Sequence, residues 1–158
     1  MYVAIVVLTM FALPVGSVLV EHLLRPDAPW LYLIGRWFVV WGVGARLGLA
    51  GLRQVAQPAF TARQIFHIEG DDALPIVREL GVANLAAGVV ALASLAVSTF
   101  VLPAALWAAI FYGAAGLSHV RQKARSANES LAMASDLFMA VVLAIVVVYG
   151  VAHLVHMS

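Results

Sequence analysis

The stretch WLYLIGRWFVVWGVGARLGLAGL, residues 30–52, is the one on which the architecture turns. A bilayer core of roughly 30 Å needs about 20 apolar helical residues, and this stretch is long enough to cross it. It also carries Arg36 and Arg46. Each would cost about 2.5–3.5 kcal/mol at mid-membrane, so neither can sit there facing lipid. Trp30, Trp37 and Trp41 suit an interfacial belt or a bundle interior. Gly44, Gly48 and Gly51 fall at i, i+4 and i+7, a small-residue face that lets a neighbouring backbone come close. We read residues 30–52 as a membrane span. The alternative lays them on the membrane surface.

Working outward, the whole chain is 64% hydrophobic and only 11% charged, with a mean hydropathy of +1.01. A soluble domain is nearer half apolar and a quarter charged. Too few polar residues remain to coat a water-soluble surface, so the partner that covers this chain is the lipid bilayer. The fold class expected is all-α: one transmembrane helical bundle over residues 1–158. Its five spans fall at about 2–22, 30–52, 75–98, 101–120 and 129–155. The alternative has four spans plus a surface helix. The first span lacks Lys or Arg at its start and is too long for a signal-peptide core, so it is read as retained. Pro14 and Gly16 are expected to bend it.

Asp27 and Asp72 are placed to cap the second and third spans, each followed by a proline in the first turn. Thr61-Ala62-Arg63-Gln64 reads as a capping box that opens an interfacial helix over 62–69. Ser126-Ala127-Asn128-Glu129 reads as a second box, opening the fifth span. Arg53, Arg63, Arg78, Arg121, Lys123 and Arg125 gather on one side. The positive-inside rule makes that side cytoplasmic, with the N-terminus inside and the C-terminus outside.

The third span opens with Arg78-Glu79-Leu80-Gly81-Val82-Ala83-Asn84-Leu85-Ala86-Ala87-Gly88, a charged doublet and an amide at the mouth of an apolar helix. Under this topology Arg46, Arg53, Glu79, Asn84, Tyr112, His119 and Asp136 all fall in the inner leaflet. Ionic groups in lipid must face the bundle interior and pair. A cluster of Arg46, Glu79, Asn84, His119 and Asp136 is therefore expected, with Asp136 pairing Arg46. One reading makes it helix glue. The other makes the same seven residues a site for a small ligand, ion or proton.

The outer side carries Glu21, His22, His153 and His156. His22, His153 and His156 are the residues that could ligate Zn or Cu, but they read as interfacial histidines and no metal site is expected. His67 reads as a solvated interface residue. There is no cysteine, so thiolate chemistry is excluded. A net charge of +1 leaves no nucleic-acid footprint. Phosphate-loop, nucleophile-elbow and zinc-protease motifs are absent, and the sequence names no cofactor.

Several stretches together resemble a family of small bacterial polytopic integral membrane proteins of unknown function. They are Trp-Gly-Val-Gly-Ala-Arg-Leu-Gly-Leu-Ala-Gly-Leu-Arg-Gln at 41–54, Phe60-Thr61-Ala62 with Ile65-Phe66-His67-Ile68, Arg78-Glu79-Leu80-Gly81 with Asn84 and Gly88, Phe111-Tyr112-Gly113 with Gly116 and His119, and Met133-Ala134-Ser135-Asp136. The resemblance covers residues 36–150 and implies a bacterial inner (cytoplasmic) membrane location, with no activity attached. Three functions stay open. The first is a bundle, expected to form homo-oligomers, that binds or conducts a small solute or ion. The second is a membrane enzyme on a lipid-like substrate, with Glu79, His119 and Asp136 as acid–base groups. The third is an accessory subunit of a membrane complex. Non-enzymatic action is favoured.

Overall fold

The helix that carries two arginines is the one at the centre of the molecule. In the computed structural model, which describes residues 2–65, 68–121 and 127–157, half of the apolar stretch of α2 (Trp30–Ala56) is buried inside the protein. The other four long helices bury between 17% and 33% of theirs. Those four are α1 (Tyr2–Leu24), α4 (Leu74–Ala93), α5 (Val101–Val120) and α6 (Ala127–Met157). All five are long and apolar enough to cross a membrane. The short α3 joins a turn at Pro58–Phe60 to a π-helical turn at Thr61–Ile65. No strand occurs among the described residues.

The first half of α2 packs on α1 and α6, its middle on α4 and α5, and its last turns on α4. Helices α5 and α6 form an antiparallel hairpin, with Gly116 against Leu137 at one end and Gly150 against Leu102 at the other. Val6, Met10, Val39, Val43, Met139 and Leu143 are fully enclosed at the heart of the bundle.

Two π-helical stretches interrupt the long helices, Leu8–Ala12 in α1 and Val39–Ala45 in α2. The first lies just before Pro14, which has no N–H to give and whose ring crowds the carbonyl one turn earlier; widening the helix there relieves both faults. The second contains Gly42 and Gly44, where no side chain resists the change in pitch.

The small-residue face of α2 does what its spacing predicts. A Cβ added to Gly88 of α4 would lie 2.8 Å from Gly48 Cα and 3.0 Å from the Gly44 carbonyl oxygen. One added to Gly51 would lie 2.6 Å from the Gly81 oxygen. Backbone therefore touches backbone along an antiparallel seam between α2 and α4, which dispersion and close packing can hold without any large side chain.

Element ends differ from expectation in several places, among them the end of α2, which runs on to Ala56 past the expected 52. Helix α2 starts from Pro29 in extended conformation with no side-chain cap, so Asp27 does not cap it. Helix α4 starts after Ala73, not on an Asp72 cap; Leu74 N–H bonds the Asp71 carbonyl at 3.0 Å. It ends at Ala93, short of the expected 98, where Ser94 bonds back to the Ala91 carbonyl and Val97 turns extended. Helix α3 begins at Pro58, four residues before the expected helix at 62–69, because proline at the first helical position sets the start. Phe66, His67, Lys123, Arg125 and the Ser126 end of the second capping box lie outside the described residues.

Candidate functional site

Polar side chains collect at the two opposite ends of the α1–α2 pair. At the end near the α1–α2 turn, Glu21 is the centre. Its Oε1 accepts from Arg25 Nη1 and from Arg36 Nη1, both at 3.0 Å, and its Oε2 accepts from Trp37 Nε1 at 2.7 Å. Its side chain is only 12% exposed. One turn deeper, Trp41 Nε1 donates to Ser17 Oγ at 3.0 Å. His22 stacks on Trp30 with ring centres 3.9 Å apart. Beside this ladder lies a cavity of about 780 Å³ lined in part by Arg25, Asp27, Tyr32, Tyr149 and His153.

At the other end, the start of α1 meets the second half of α2 and the facing ends of α5 and α6. The Arg46 guanidinium lies 5.7 Å from the centre of the Tyr2 ring. Tyr112 of α5 is buried and donates its hydroxyl to the Gly42 carbonyl, inside the π-helical stretch of α2. That stretch breaks the usual carbonyl ladder, which leaves an oxygen available to a side chain. The charges of Arg46 and His119 act on Asp136 of α6, and those of Arg46 and Asp136 act on Tyr112, so the four lie within electrostatic reach of one another.

The expected seven-residue group thus divides. Arg46, Tyr112, His119 and Asp136 share one neighbourhood. Asn84 and Arg53 belong to the α2–α4 seam: Asn84 Nδ2 donates to Gln54 Oε1 at 2.8 Å, and the Arg53 guanidinium sits 3.7 Å over the Phe60 ring. Glu79 joins neither; it is exposed on α4, as is Arg78. The five-member cluster is corrected on this point, because the seam turns Gly81, Asn84 and Gly88 toward α2 and so turns Glu79 away. The direct Asp136–Arg46 ion pair is corrected too. Among the described residues, the pairs closed within 4.0 Å are Arg25–Glu21, Arg36–Glu21 and Arg63–Asp71, and Arg46 Nε is buried without a hydrogen-bond partner.

His22, His153 and His156 do not converge. No group of three metal-ligating side chains occurs among the described residues. His22 faces Trp30, and His153 stacks near Tyr149 at 6.1 Å. The site that sequence reasoning missed is Glu21 with Arg36 and Trp37. The signal was partly present: residue 21 lies four residues before the 25–29 turn and residue 37 eight after it, an offset of about one helical turn that the long Arg36 and Trp37 side chains span, since helical side chains lean toward the N-terminus.

The model of one family matches residues 4–157, nearly the whole chain; its description is "Family of unknown function (DUF6790)". No curated protein and no solved structure matches the chain.

Proposed function

From the chain's membership in that family of unknown function, DUF6790, we propose an integral membrane protein of five spans that binds a small polar solute or ion beside Arg46 and Asp136. The membrane assignment is supported by what the bundle presents outward. Leu19, Leu23, Ile76, Val89, Ile110, Val141, Val148 and Val155 are all exposed, spread over α1, α4, α5 and α6. A water-soluble monomer rarely shows apolar surface on that scale. The basic residues support the orientation: among the described residues, Arg25 and Arg36 lie at the turn end, and Arg46, Arg53, Arg63, Arg78 and Arg121 lie toward the opposite end, which the positive-inside rule makes cytoplasmic. A bacterial inner membrane with the N-terminus inside follows from that rule and from the family resemblance.

The observation that carries the binding reading is that Arg46 and Asp136 lie within electrostatic reach of each other without closing an ion pair. Charges used only as glue should close on each other, as Glu21 and Arg36 do at 3.0 Å. Arg46 and Asp136 show no such closure, and Arg46 Nε is buried without a hydrogen-bond partner. A small ion or dipolar molecule between them would satisfy both. Conduction has less support, because Leu33, Val39, Val43, Met139 and Leu143 fill the bundle between the two polar ends. The enzyme reading loses Glu79 as an acid–base partner, since that side chain is exposed and apart from His119 and Asp136.

The test is thermal unfolding of the protein in lipid nanodiscs with glycine, β-alanine, sodium chloride and potassium acetate as probes. At least one should raise Tm in the parent and have no effect on Arg46→Gln or Asp136→Asn. If none acts, and an experimental structure in lipid shows Arg46 and Asp136 closed within 4.0 Å, the pair is glue and the proposal fails.

A further inference from the structure

The cavity at the turn end lies on the far side of the bundle from Arg46, and the binding proposal does not use it. Its mouth is polar: Arg25 and Asp27 stand two residues apart on the α1–α2 turn, and Tyr149 faces them from α6. Its wall turns apolar at Leu31, Leu102 and Val146. A second groove of about 330 Å³ runs along α1, α2 and α6 and is lined by apolar and aromatic side chains only. Leu31 belongs to both. The groove also takes in Ile34, Phe38, Val142 and Ile145, which lie deeper in the bundle than the residues around the turn. A charged mouth and an oily groove therefore adjoin at Leu31.

That sequence of surfaces has a chemical complement. We propose that the two cavities together bind one zwitterionic amphiphile, a phospholipid with a primary ammonium head. Arg25 keeps most of its five donors after one is used on Glu21, so it can hold a phosphate oxygen. Asp27 is exposed and has no cation within 4.0 Å among the described residues, so it accepts the ammonium. The Tyr149 ring flanks the head, and an acyl chain follows Leu31 into the groove. A free amino acid is too small for 780 Å³. An anionic lipid would leave Asp27 facing like charge, and a quaternary ammonium cannot donate a hydrogen bond to it. The inference rests on the membrane assignment but not on the Arg46–Asp136 site.

Native mass spectrometry of delipidated protein in detergent tests it, with phosphatidylethanolamine, phosphatidylcholine and phosphatidylglycerol added back. Soluble glycerophosphoethanolamine is the head-only arm. The parent should retain one phosphatidylethanolamine at least tenfold better than the other two lipids, and the head alone should not compete. Arg25→Gln and Asp27→Asn should each lose that preference. Asp136→Asn, at the other end, should keep it. Arg36 still holds Glu21 when Arg25 is changed, and Asp27→Asn removes no internal contact, so both variants should fold with the parent's unfolding midpoint. Equal retention of all three lipids, an unchanged preference in Asp27→Asn, or full competition by the soluble head would each overturn the inference. Protein that purifies without detergent would instead refute the membrane assignment.

Discussion

Glu21 and Asp136 are both carboxylates inside long apolar helices, yet their surroundings assign them different work. Glu21 accepts three charge-assisted or indole hydrogen bonds at 2.7–3.0 Å, one from Arg25 on the α1–α2 turn and two from α2. Removing it strands Arg36, whose Nε is already buried without a partner, and strips the Trp37 indole of its acceptor. Glu21→Ala should therefore lower unfolding stability in mixed detergent by about 2–4 kcal/mol, the range for breaking a partly buried charged network. Asp136→Asn closes no gap and opens none, so its cost should stay within about 1 kcal/mol, as for pairs not in contact. Equilibrium unfolding of the two variants side by side checks the order; an Asp136 variant less stable than the Glu21 variant would reverse these roles. The contrast also marks how far a sequence can locate side-chain sites. Depth sorting along five helices puts Arg46, Tyr112, His119 and Asp136 at one level, because depth depends only on distance along the chain. It cannot assign azimuth, and Glu79 and Asn84 sit at similar depth on α4 but on different faces. Reading Glu21 only as a helix end misses its role, because the cost of Arg36 is then weighed in isolation, without the carboxylate that its side chain reaches.

Between helices, the α2–α4 seam makes a sharper test than any ion pair, since it turns on single methyl groups. At Gly88 a Cβ meets the Gly48 backbone at 2.8–2.9 Å, and backbone cannot swing aside as a flexible side chain can. Gly88→Ala must push the helices apart, at a cost of about 1–3 kcal/mol, typical of overpacking. At Gly48, on the other side of the same contact, an added Cβ meets nothing within 4 Å. Gly48→Ala should be neutral or stabilise by up to about 1 kcal/mol through helix propensity. Detergent unfolding midpoints that move in opposite directions for these two alanines would support the seam; equal shifts would refute it. The periodic glycines of α2 announce this contact, because spacing of i, i+4 and i+7 defines a face whatever the partner. The two π-helical stretches are not legible in the same way. They follow from the need to accommodate Pro14 and to let Tyr112 reach the Gly42 carbonyl, and the second need exists only once α5 is packed against α2.

Across the molecule as a whole, the proposed five spans have a consequence that no packing detail can mimic: an odd number would set the two chain ends on opposite sides of the membrane. The arginines of α2 argue for moving that helix to the surface, which would leave four spans and both ends together. Packing answers the argument. Helix α2 is the most enclosed of the five, and each of its arginines within the apolar stretch faces protein: Arg36 meets Glu21 and Arg46 lies over Tyr2. Enclosure by neighbours removes the lipid-facing cost that makes the span doubtful. The chain contains no cysteine, so single cysteines can be placed in the native sequence without removing any. Asp27→Cys lies on the α1–α2 turn and Asp71→Cys on the α3–α4 connection, and both positions are exposed. In intact bacterial cells, a membrane-impermeant maleimide should label the first and reach the second only after permeabilisation. Labelling in the opposite order would reverse the orientation while keeping the span. Labelling of both from one side would mean that α2 does not cross, and the five-span bundle with its central helix would have to be abandoned.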